Sequence, residues 1–95
     1  MSSRLKRWVH VSFTLPDDVR VSQIEETFNK AAYWMRYSKN CWLLYTRLDL
    51  DTWRDRVLAV PGMGNESVFV IEFDLDKQAT GWLPEWMWKE FRNRA

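Results

Sequence analysis

The stretch "YWMRYSKNCWLLYTR", residues 33–47, is aromatic and β-favouring on both sides of Ser38-Lys39-Asn40. A short polar break between two such runs reads as a β-hairpin. In its second arm Cys41, Leu43 and Tyr45 alternate with Trp42, Leu44 and Thr46. Both sets are largely apolar, the pattern of a central strand covered on two sides.

Helical patterns flank the hairpin. Upstream, "SQIE" (22–25) reads as a capping box with Ser22 as N-cap. Ile24, Phe28, Ala31 and Ala32 follow at i, i+4, i+7 and i+8, which predicts a helix of about 11 residues with one apolar stripe. Downstream, Asp49 or Asp51 caps a second helix whose stripe is Leu50, Trp53, Val57 and Val60, ended by Pro61-Gly62. Beyond these helices lie two more strands. "RWVHVSFTL" (7–15) sets Val9, Val11, Phe13 and Leu15 on one face and Trp8, His10, Ser12 and Thr14 on the other. "SVFVIEF" (67–73) closes the set, with Phe69, Ile71 and Phe73 expected inward. Pro84 suits the first position of a final helix over 84–94. There Pro84, Met87, Trp88 and Phe91 form a stripe, Trp86 points away beside Glu90 and Asn93, and Trp82 precedes the helix.

The order β-α-β-β-α-β plus a C-terminal helix predicts an α+β, ferredoxin-like antiparallel sheet, ordered 4-1-3-2, with both crossover helices on one face. The 95 residues are read as one domain, 1–95, with 1–6 a flexible basic terminus. With 46% apolar and 16% aromatic residues, it can fill a core without staples. A single cysteine, Cys41, excludes an internal disulfide, and a single histidine, His10, leaves too few ligands for a Cys/His metal site. No cofactor is implied. The net charge of +1 is not the basic excess typical of nucleic-acid binders. No apolar run is long enough to span a membrane. The basic N-terminus leads into alternation instead of an apolar segment, so no signal peptide is expected and the expected compartment is the cytoplasm.

The second face of the sheet is the candidate site. Trp8, His10, Ser12, Trp42, Leu44, Val68 and Val70 are assigned to it, too apolar a set to face water. The C-terminal helix, a second subunit or stacked bases could cover it. Trp8, His10, Trp42, Leu44, Val70, Trp82 and Trp86 are therefore the expected interface residues. His10 has the pKa range of a general base, but no second acid–base group is placed beside it. Asp17 and Asp18 could hold a metal with a third carboxylate; as a solvated turn they simply lead into the first helix.

Two resemblances bear on function. The topology is similar to that of the RNA-recognition motif, which stacks bases on aromatics of its two central strands. That similarity implies a single-strand binding surface of Arg7, Trp8, Arg36, Lys39 and Trp42, although "KNCWLLY" lacks the glycines and aromatic spacing of the family signature. Over residues 7–76, a strand ending in "VSFTLPD", a helix, the Trp-rich hairpin, a second helix and "SVFVIEF" resemble a second group. This is the small plait superfamily of CRISPR adaptation nuclease subunits, virulence-associated protein D toxins and SinR-type proteins. The resemblance implies a homodimer formed through the sheets. The nuclease members carry a metal-binding aspartate at the end of strand one, where this chain has Thr14, with Asp17 three residues further on. Thr supplies no anionic oxygen for magnesium. The expected function is therefore a non-enzymatic, homodimeric interaction domain, phage- or defence-associated, that occludes the surface of an unidentified protein partner. A single-strand nucleic-acid binder and a metal-dependent ribonuclease are the alternatives.

Overall fold

The computed structural model describes residues 5–74 and 80–94. In chain order the elements are β1 (Arg7–Phe13), α1 (Val21–Phe28), β2 (Tyr33–Ser38), β3 (Cys41–Thr46), α2 (Leu50–Leu58), β4 (Val68–Phe73) and α3 (Glu85–Asn93). They form a small α+β fold with one antiparallel four-stranded sheet, hydrogen-bonded in the order β2-β3-β1-β4. Read from the β4 edge this is 4-1-3-2. Of the basic N-terminal segment, residues 1–4 lie outside the described residues, and Leu5 and Lys6 are exposed.

Antiparallel pairing aligns side chains in rows across the sheet, because directly opposite residues share a face. On the first face Trp34, Leu44, Val9 and Glu72 form one row, and Arg36, Trp42, Val11 and Val70 the next. On the second face the rows are Tyr33–Tyr45–Trp8–Phe73, then Met35–Leu43–His10–Ile71, then Cys41–Ser12–Phe69. Helices α1 and α2 cover the first face. Ile24, Phe28, Trp53, Val57, Val60 and Met63 enclose Val9, Val11, Phe13, Trp42 and Leu44 in the main core.

This register corrects the sequence-based assignment of strands three and four. Trp42 and Leu44 belong to the helix-covered face, and Val68 and Val70 pack against the same core. Phe69, Ile71 and Phe73 lie on the second face, opposite Ser12, His10 and Trp8. A slip of one residue in phase moves every side chain to the other face, and with both alternating sets apolar, periodicity could not choose between the phases.

The helix ends also differ from expectation. Helix α1 begins after Arg20, whose backbone N–H donates to Gln23 Oε1 at 3.4 Å, so Ser22 lies inside the first turn. It stops at Phe28, and Ala31 packs on the core from the following turn. The indole N–H of Trp34 donates to Asn29 Oδ1 at 2.9 Å and ties the end of α1 to β2. Gly62, beyond α2, takes φ +96°, a conformation that glycine adopts without strain. Pro84 is the N-cap of α3, is exposed, and does not join the stripe. Among the described residues, no helix is long and apolar enough to cross a membrane.

Candidate functional site

Helix α3 lies across one end of the second face. Met87 and Phe91 are buried there with Trp8, Met35 and Leu43, and Tyr33, Tyr45, Phe73, Leu83 and Trp88 pack around them. Two contacts fix the helix in place. The Phe91 ring meets Trp8 edge-on at 4.8 Å, and the guanidinium of Arg94 sits 3.8 Å over the ring of Tyr33. Glu90 bonds Arg94 one turn on and holds it there. The helix therefore covers the row of Tyr33, Tyr45, Trp8 and Phe73 and leaves the row of Cys41, Ser12 and Phe69 bare.

Between these two rows, over the row of Leu43, His10 and Ile71, lies a groove of about 560 Å³ that runs up to α3. Leu43, Ile71, Phe73, Trp88 and Phe91 form its floor and wall, and Thr80, Gly81, Trp82 and Leu83 its rim. Such a volume falls within the range of small-ligand or side-chain pockets. Of its lining residues Ile71 is 45% and Trp82 89% exposed, and Phe69, next to Ile71 on the same face of β4 but outside the lining, is 59% exposed.

The polar end of the groove is the pair His10 and Tyr37. A register shift between Arg36 and Ser38 marks a β-bulge at Tyr37, and bulges re-aim side chains. Here the tyrosine is brought beside β1, where its hydroxyl lies 2.6 Å from His10 Nε2. Burial lowers the pKa of His10 from its usual 6.5. Partial burial, followed by a hydrogen bond with Cys41, pushes Tyr37 up to about 12, although the residue as a whole is 37% exposed. Both groups are therefore uncharged at neutral pH. No carboxylate is among the described residues lining the groove.

The expected interface residues are scattered by this arrangement. His10 lines the groove, Trp82 stands on its rim, and Trp86 is 51% exposed on the outer side of α3. Trp8 is on the second face but sealed beneath Phe91. Trp42, Leu44 and Val70 are on the opposite face, because the register pairs Trp42 with Val11 and Leu44 with Val9. Of the basic and aromatic set proposed for nucleic acid, only Lys39 is exposed. Arg7 donates from Nε to Glu72 at 3.0 Å and from Nη1 to the Thr46 carbonyl at 2.9 Å. Arg36 closes the hairpin onto the Lys39 carbonyl and lies 5.0 Å over the Trp42 ring. Asp17 and Asp18 are exposed in the turn that Val19 N–H closes onto the Pro16 carbonyl. Among the described residues, no three potential ligands from His, Cys, Asp and Glu come together.

No family model, curated protein or solved structure matches this chain. Sequence reasoning missed Tyr37, Leu43, Phe69 and Ile71. The signal that could have found the last two was the pairing phase of β1 with β4, which only the assembled sheet supplies.

Proposed function

We propose that this chain is a protein-interaction domain with no chemistry of its own, built as a ferredoxin-like plait and working as a homodimer that occupies a partner's surface. One observation carries it: Phe69 and Ile71 stand 59% and 45% exposed beside a groove whose rim bears the 89% exposed Trp82. Contiguous exposed apolar side chains mark contact surfaces, and tryptophan is enriched where binding energy concentrates. Neutral His10 and Tyr37 offer hydrogen bonds without charge, which suits a largely apolar contact.

The alternatives draw less support. Base stacking needs open aromatic faces on the central strands, whereas Trp8 is sealed beneath Phe91 and Trp42 lies under the helices. A magnesium nuclease needs clustered oxygen ligands, and Thr14 occupies the position where the resembling family places its aspartate.

The test is molar mass by sedimentation across roughly 1–100 µM, a range in which weak dimers dissociate by mass action. A concentration-dependent dimer that Phe69→Asp abolishes, with secondary structure retained, is the expected result. A monomer throughout overturns the homodimer.

A further inference from the structure

The sheet has two edges, β2 and β4, and they are built differently. Edge strands display unpaired backbone N–H and C=O groups, and natural proteins guard them with bulges, charge or proline. β2 carries such guards: the bulge at Tyr37 and the charge of Arg36. β4 carries none over its first four residues. Val68, Phe69, Val70 and Ile71 are uncharged and β-favouring, and their register with β1 is regular from Phe13↔Val68 to Trp8↔Phe73. On the first face Val70 and Val68 are only half-buried, whereas Val11, in the same row as Val70, is fully buried. Both faces of β4 stay incompletely covered toward the open edge.

We propose that β4 pairs antiparallel with β4 of a second copy, across a two-fold axis at Val70, to form one continuous eight-stranded sheet. This rests on the homodimeric reading above and places its interface.

Self-complementarity selects a second copy as the occupant. Pairing about Val70 sets Phe69 of each copy opposite Ile71 of the other, since opposed residues share a face. That makes two aromatic–β-branched pairs, a favoured cross-strand combination. Glu72 then faces Val68, and the two Glu72 side chains stand four residues apart. At about 3.3 Å per residue this is roughly 13 Å, beyond the ~8 Å screening length at physiological salt. Each Glu72 also keeps Arg7 at 3.0 Å within its own copy. Centring the axis on Ile71 instead would bring the two carboxylates to within two residues, about 7 Å, and would ask Phe73, already packed on Phe91, to meet Phe69. The Val70 register avoids both.

Disulfide trapping reads this register directly, because facing antiparallel residues have the Cα spacing of a disulfide. In a Cys41→Ser background under a mild thiol–disulfide buffer, Val70→Cys should cross-link to a dimer. Phe69→Cys and Ile71→Cys should cross-link efficiently only when mixed with each other. Ile71→Lys, an exposed position, should sediment as a monomer with an unchanged circular dichroism spectrum. A dimer that survives Ile71→Lys and gives no Val70→Cys cross-link lies elsewhere on the molecule, which overturns the β4 pairing and leaves the interaction function standing. A chain that stays monomeric, or that takes an extended foreign peptide on β4 in place of its own copy, also overturns the pairing.

Discussion

The ring of Phe13 lies flat on the indole of Trp42, with centroids 4.9 Å apart and planes 9° from parallel. The stack places one of the two tryptophans of the hairpin under the helices, against Phe28 at 5.6 Å, so Trp42 is core. Trp42→Ala should cost about 3–5 kcal/mol, a large part of the total stability of a domain this size, on the order of 5–15 kcal/mol. Urea unfolding checks it. A loss below about 1 kcal/mol would contradict the burial.

Thr46 is a buried polar residue whose Oγ1 accepts from the Trp53 indole N–H at 3.2 Å and from the Leu48 backbone N–H at 3.1 Å. Thr46→Val keeps the shape and removes the acceptor. Two donors at the β3–α2 junction lose their partner, and leaving a buried group unsatisfied costs about 1–3 kcal/mol. Thermal unfolding should show a drop of at least several degrees by the usual size scaling.

At Gly62 two effects act together. Its φ of +96° is unfavourable for other residues, and an added Cβ would stand 2.6 Å from Val19 Cγ2. Gly62→Ala should lose roughly 1–3 kcal/mol. Gly64 has open space around its Cβ position, so Gly64→Ala should stay within about 0.5 kcal/mol of the parent. Equal effects in chemical denaturation would rule the account out.

His10 titrates below its usual 6.5 because burial disfavours the imidazolium. The unfolded chain therefore binds the proton more readily. Stability from this group is complete above pH 6.5, falls as the pH drops below that value, and levels off beneath the depressed folded pKa. His10→Gln should flatten this part of the stability–pH curve below about pH 6.5. An unchanged slope in the mutant would assign the acid sensitivity to other groups.

On α3 two tryptophans two residues apart should fail differently. Trp88 packs against the buried cluster of Trp8, Met87 and Phe91, whereas Trp86 is 51% exposed. Trp88→Ala should lower the melting temperature by well over 5 °C, since each kcal/mol is worth about 4–8 °C at this size. Trp86→Ala and Trp82→Ala, at exposed positions, should shift it little and leave the secondary structure unchanged. Calorimetry on the three variants separates the outcomes, and equal melting losses would mean that Trp86 has a buried role.

Element type and order were legible because each rests on a local signal. Strict alternation marked β1, the polar break marked the hairpin, and Pro61-Gly62 marked the stop after α2. Local signals also put Val9, Val11 and Phe13 together, and Met87 with Phe91. The facing of β3 and β4 was not legible. In "CWLLYT" and "VFVIEF" most residues are apolar in both phases, so hydrophobicity alone weighs the two faces nearly equally.

The tertiary structure broke that tie through shape and through pairing. The Trp42 indole fits between Phe13 and Phe28, and that fit sends Cys41 and Leu43 to the other face. Pairing with β1 then carries Phe69 and Ile71 outward, opposite Ser12 and His10. The contact of the Tyr37 hydroxyl with His10 arises only when β2, β3 and β1 meet. Periodicity is a property of one segment, and it set the elements. Register is a property of pairs of segments far apart in the chain, and it decided which apolar side chains the protein buries and which it presents.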